Sequence, residues 1–117
     1  MKKLQNNYTT REQSKQLLDL GLPVDSADMY YSKMSTETFW SLYTIGSGAT
    51  YTSISTPPYD FMFVPCWSVG RLIEIYVIAR GVDTAYLPVE RDEDMVKYLI
   101  RLYKEKVKDL DFSRLEE

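Results

Sequence analysis

At 117 residues, 44% hydrophobic and 26% charged, the chain has the length and composition of one globular domain, not of a disordered or fibrous protein. Its lone cysteine, Cys66, and its lack of histidine exclude an intramolecular disulfide, a Cys/His zinc site, an imidazole pH switch and the Ser-His and Cys-His nucleophile systems. Seventeen acidic against fourteen basic residues leave a net charge of −3, so overall electrostatics disfavour nucleic acid as a partner.

Residues 1–8 are polar and read as a flexible tail. Thr10 and Gln13 have the spacing of a capping box. Leu17, Leu18 and Leu20 then give one apolar side, which predicts a helix over 11–20, and Gly21 and Pro23 stop it. Residues 29–34 read as a short strand. The segments 39–45 and 49–54 are rich in aromatic and β-branched residues. Gly46-Ser47-Gly48 between them suits a hairpin connection, so the two segments are predicted to pair. Pro57 and Pro58 end the second arm, and a further strand over 61–64 ends at Pro65.

Helical periodicity returns after Ser68, a good N-cap. Val69, Leu72, Ile73, Tyr76, Val77 and Ala79 recur at helical spacing, and Arg80-Gly81 makes a basic last turn with a glycine stop. Residues 84–89 read as a last short strand. Asp92 is predicted to cap a final helix whose apolar stripe runs from Val96 to about Leu110, and residues 111–117 read as a second flexible tail. The whole predicts a single α+β domain over 1–117: a small, mostly antiparallel sheet of three to five short strands packed with about three helices. No apolar run is long enough to cross a membrane, and no apolar segment follows Lys2 and Lys3 in the manner of a signal peptide. A cytoplasmic location is expected, with Cys66 a free thiol, no membrane contact and no cofactor.

The most unusual stretch carries no catalytic motif. From Thr38 to Gly70 a single residue in 33, Asp60, is charged, and eight are aromatic. Tyrosine and tryptophan combine apolar area with a hydrogen-bonding tip, which suits interfaces. A hairpin in so small a domain can bury only one face, so Trp40, Tyr43, Tyr51 and Tyr59 are the candidate interaction surface; the competing reading makes them the core side of the sheet. Pro65, Trp67 and Ser68 read as a structural corner: the proline ends a strand, the tryptophan anchors, the serine caps a helix.

Other constellations read as fold chemistry. Gly46-Ser47-Gly48 lacks the third glycine and the lysine of phosphate-binding loops. Cys66 precedes a helix start, but without histidine nothing activates it, so it reads as buried and structural. The acidic pairs Asp25/Asp28 and Glu90/Asp92 lie at helix starts and read as caps, not as catalytic or metal-binding carboxylates. Lys97, Arg101, Lys104 and Lys108 form a basic stripe along the last helix, which reads as a solvated face and otherwise could meet phosphates.

Two segments, EQSKQLLDLGLPVDSADMYY (residues 12–31) and VPCWSVGRLIEI (residues 64–75), resemble a family of short proteins of Bacteroides-type gut bacteria and their phages and mobile elements. They cover 32 of the 117 residues, and Pro-Cys-Trp-Ser-Val-Gly-Arg-Leu is the most specific part. The resemblance implies a cytoplasmic, mobile-element-associated accessory protein and no activity, cofactor or catalytic residue. Together with the residues, it leads to the expectation of a non-enzymatic interaction module that forms a homodimer or docks an unidentified protein. The alternative is an accessory protein for nucleic-acid transactions that uses the basic stripe of the last helix.

Overall fold

The computed structural model describes residues 7–55, 61–81 and 94–116. The first helix, α1 (Arg11–Asp19), opens on the expected capping box: Gln13 N donates to Thr10 Oγ1 (3.1 Å) and Thr10 N donates to Gln13 Oε1 (2.9 Å). A turn of 3-10 helix, Val24–Ser26, leads into β1 (Met29–Met34). β2 (Ser41–Thr44) and β3 (Phe61–Cys66) flank β1, both antiparallel to it, in the order β2-β1-β3. Tyr30 thus lies opposite Tyr43 on one side and Pro65 on the other, and Ser32 opposite Ser41 and Phe63. One helical turn, α2 (Tyr51–Ile54), and two longer helices, α3 (Val69–Arg80) and α4 (Met95–Lys106), complete an α+β fold that, among the described residues, has a three-stranded antiparallel sheet and four α-helices.

The predicted hairpin between 39–45 and 49–54 does not form. β2 pairs with β1 instead, and the second arm is α2, which Thr50 and Ser53 close with a capping box of their own. The box satisfies the Thr50 and Ser53 amides at the start of the turn, which a second strand would have paired with its neighbour. Pro65 does not end β3, which runs on to Cys66; among the described residues β3 lies at the edge of the sheet, where proline is tolerated. The last long helix starts at Met95, capped by Asp94, which accepts from Val96 N (2.9 Å) and Lys97 N (3.4 Å). The predicted strand at 84–89, the predicted cap Asp92 and Tyr59 lie outside the described residues.

The core lies where α1, α3 and α4 converge: Leu17, Leu72, Ile75, Val96 and Leu99 are fully buried around Trp67. Tyr76 and Tyr103 stack across α3 and α4 at 5.9 Å, and Tyr103 Oη donates to the Leu72 carbonyl. Gly81 ends α3 in the left-handed region (φ 72°), and the guanidinium of Arg114 lies where a side chain at position 81 would stand. That contact brings a cation to the negative end of α3. It comes from the segment the sequence reads as a polar tail: Asp111 N donates to the Ala79 carbonyl (2.9 Å), and the 3-10 turn Phe112–Glu116 packs Phe112 and Leu115 against the core.

Candidate interaction surface and its anchoring corner

Trp67 has no exposed surface, and its three polar groups are paired with two distant segments. Its indole N–H donates to Ser26 Oγ (3.0 Å), its amide to Thr9 Oγ1 (3.1 Å), and its carbonyl accepts from Thr9 N (3.0 Å). Thr9, also fully buried, is the hub: its hydroxyl meets Ser14 Oγ (2.7 Å) and its carbonyl accepts from Tyr31 Oη (2.6 Å) and Cys66 Sγ (3.3 Å). Asn7 O accepts from Val69 N (2.9 Å), so residues 7–9 run along the start of α3. Ser68 caps α3 as expected, accepting from Arg71 N (3.1 Å), and itself donates to Asp28 through both its amide (2.9 Å) and its hydroxyl (2.5 Å). Among the described residues, every buried side-chain nitrogen and oxygen has a partner. The corner is closed.

This accounts for the chemistry-bearing residues of the first half. Asp28 sits at the positive end of α3, and Asp25 accepts from the Thr52 side chain and from Thr52 N (2.7 Å) at the start of α2, which together lower its pKa. Each carboxylate caps a helix distant in sequence, not its own. Cys66 is buried, and burial pushes its thiol pKa up, as it does the Tyr31 hydroxyl beside it. A protonated, enclosed thiol is a poor nucleophile. No cluster of three or more metal-ligating side chains occurs among the described residues.

The sheet has one covered face and one open face. Strand alternation puts Tyr31, Cys66 and Val64 on the side of α1, and Tyr30, Ser32, Tyr43, Phe61 and Phe63 on the other. On the open side the rings form a row across all three strands. Phe61 lies 6.1 Å from Phe63, Phe63 lies 5.9 Å from Tyr30, and Tyr30 stacks on Tyr43 at 5.2 Å. The row borders a shallow hollow of about 310 Å³, rimmed by Ile54 of α2 and floored by Ser32, the one buried residue of β1. Tyr43 is 48% exposed, Phe61 42% and neighbouring Met34 41%. No charged residue of β1, β2 or β3 lies on this side, since Lys33 alternates to the other.

The four sequence candidates therefore separate. Tyr43 is on the open face. Trp40 is half-buried on the opposite side, its ring covered by the Arg11 guanidinium at 4.8 Å and by Lys33 Nζ at 5.6 Å. Tyr51 is half-buried in α2, and Tyr59 is not among the described residues. Sequence reasoning missed Tyr30, Phe61 and Phe63 as surface. Their signal was present as alternation, Tyr30-x-Ser32-x-Met34 and Phe61-x-Phe63, and only the register shows that the two sets share a face. Compared with family models, curated proteins and solved structures, the chain matches none.

Proposed function

We propose that the protein is a non-enzymatic interaction module that docks, first of all onto a second copy of itself, through the aromatic face formed by Tyr30, Tyr43, Phe61 and Phe63. The observation that carries this reading is the continuous row of four rings across three strands, partly exposed and free of charged neighbours on its face. Clustered exposed apolar area is uncommon on a monomer, and a two-fold dimer is the commonest way to cover it. A neutral patch also lets two chains of net charge −3 approach without placing like charges opposite one another. The buried, protonated thiol of Cys66 agrees with a reducing, cytoplasmic setting, and the accessory role implied by the resemblance belongs to the same reading. Light scattering across the micromolar range tests it. A mass near twice 13.7 kDa that falls on dilution supports self-association, and a constant 13.7 kDa removes it.

A further inference from the structure

Thr9, Ser14, Ser26 and Ser32 are the buried hydroxyl residues among those described. The corner uses the first three. Thr9 and Ser14 meet each other, Thr9 accepts from the Trp67 amide, and Ser26 donates to the Pro23 carbonyl and accepts from the Trp67 indole. Ser32 differs. It is only 6% exposed, yet among the described residues nothing hydrogen-bonds its hydroxyl, Ser41 opposite it on β2 included. Every fully enclosed side-chain oxygen among those residues has a partner, so the Ser32 oxygen is not sealed in; it opens into the hollow of about 310 Å³ that Ser32 floors. A hydroxyl held this deep without a partner costs free energy that alanine would avoid, so packing does not account for serine at this position.

The walls around that hydroxyl select the occupant. Tyr30, Tyr43, Phe61 and Phe63 supply rings, and Ile54 of α2 an aliphatic rim. Tyr30 and Tyr43 lie within 21° of parallel, and Phe63 is tilted by 47° to Tyr30, so the walls offer both ring faces and ring edges. A flat aromatic ring can meet such walls by offset stacking and edge-to-face contact at once. The volume is at the small end of ligand sites, about 300 to 1,000 Å³, which suits one or two rings. With the hydroxyl on the floor and the rings around it, the fitting ligand enters with a hydrogen-bonding substituent leading. A sugar carries hydroxyls around its whole edge and needs more partners than one floor hydroxyl and two tyrosine tips. An aliphatic chain would leave Ser32 as unpaired as before.

We propose that this hollow binds a free small aromatic compound of the phenol class, its ring held among the rings of the face and its hydroxyl hydrogen-bonded to Ser32. The site shares rings with the proposed dimer surface but does not rest on self-association, and the two are measured separately. Two-dimensional amide NMR spectra of the isotope-labelled full chain, kept dilute, are titrated with p-cresol and with toluene, the same shape without the hydroxyl. p-Cresol should shift the amides of Tyr30, Ser32, Tyr43 and Phe63 with a Kd of about 0.1 to 1 mM, within what so small a ligand allows. Toluene should shift the same amides with about three- to ten-fold weaker affinity, the worth of one hydrogen bond. Ser32→Ala should weaken p-cresol by the same factor, about three- to ten-fold, and leave toluene within about two-fold. Because the Ser32 hydroxyl holds nothing in the fold, the variant should keep the native spectrum. Equal affinity of the unmodified protein for p-cresol and toluene would overturn the proposal without recourse to a variant. So would an equal effect of Ser32→Ala on both ligands, or no shift at about 10 mM p-cresol. Shifts at these amides on raising the protein concentration alone, with none from p-cresol, would give the hollow to a second copy and also overturn it. A constant mass of 13.7 kDa with p-cresol bound through Ser32 would remove the dimer and keep the site.

Discussion

The corner around Trp67 and the open face around Tyr30 are built from the same residue types, aromatic rings interleaved with serine and threonine, and they end in opposite states. At the corner, residues 7–9, Ser26 to Asp28, Ser14 of α1 and the start of α3 converge, and each brings a partner for a polar atom. On the open face three strands supply rings, and among the described residues Ile54 of α2 rims them. Aromatic content therefore does not decide burial in this chain. The number of distant segments that reach a ring does, because a buried Trp N–H or backbone amide must find an acceptor that local sequence does not supply.

The largest expected effect tests the closed half of that comparison. Trp67→Ala should cost about 3 to 5 kcal/mol in urea denaturation, as for other large core aromatics. A loss below about 1 kcal/mol would mean that the ring is not the anchor and that the two regions are alike. Next comes the hub. Thr9→Val keeps the shape of the side chain but leaves the Trp67 amide and the Ser14 hydroxyl short of a partner, at an expected cost of about 1 to 3 kcal/mol. Thr9→Ser should recover most of that loss, and equal destabilisation by both would assign the effect to packing rather than to the hydroxyl.

Elements whose causes are local were legible in the sequence. The Thr10–Gln13 box, the Ser68 cap, the Gly81 stop and the stripe of the last helix are each set by residues within one or two turns, and each formed. The misread elements depended on distant partners. Pairing 39–45 with 49–54 followed from composition, whereas β1 was the better partner for β2 and Thr50 with Ser53 favoured a helical turn. Parity alone separates Trp40 from Tyr43: three residues apart on an extended strand, they point to opposite faces. The grouping of Tyr30 with Phe63 required the register of β1 against β3, and the roles of Asp25 and Asp28 required contacts 27 and 40 residues away. The same reasoning explains why a tail rich in charge still docks, since Phe112 and Leu115 find the core only after α3 and α4 have assembled.

A third test reads the closure of the corner through pH. Burial raises the pKa of Cys66, Tyr31 and Tyr103. In the unfolded chain the thiol ionises around its ordinary 9.0 and the phenols around 10.0, while the folded protein still holds those protons. These groups contribute their full stability below the unfolded values, and it is lost as pH rises towards the folded ones, because only the unfolded state gains from ionising. Stability should be insensitive to these groups at neutral pH and fall from about pH 9 upwards. Cys66→Ala should remove the earlier part of that fall and leave the part that begins nearer pH 10. Alkylation of native Cys66 near neutral pH should be slow and should accelerate on unfolding; rapid, selective alkylation of the folded protein would show a lowered thiol pKa and an open corner.

The smallest effect on monomer stability, and the sharpest test of the open face, belongs to Tyr43. Its ring is 48% exposed, and its 5.2 Å stack on Tyr30 is worth about 0.5 to 1.5 kcal/mol when buried and less at this exposure. Tyr43→Glu should therefore shift the denaturation midpoint of dilute protein by less than about 1 kcal/mol. In a two-fold dimer built on this face the same change places a carboxylate from each copy in a patch without charges, where desolvating an unpaired carboxylate costs several kcal/mol. The mass at micromolar concentration should then fall to that of one chain while circular dichroism stays native. Trp40→Glu is the informative contrast, since Trp40 lies on the covered side beneath Arg11 and Lys33, and its loss should disturb the fold and not the association. If Tyr43→Glu unfolds the monomer, Tyr43 belongs to the core and the two regions are the same kind of structure. If it leaves a dimer intact, the dimer forms through some other surface.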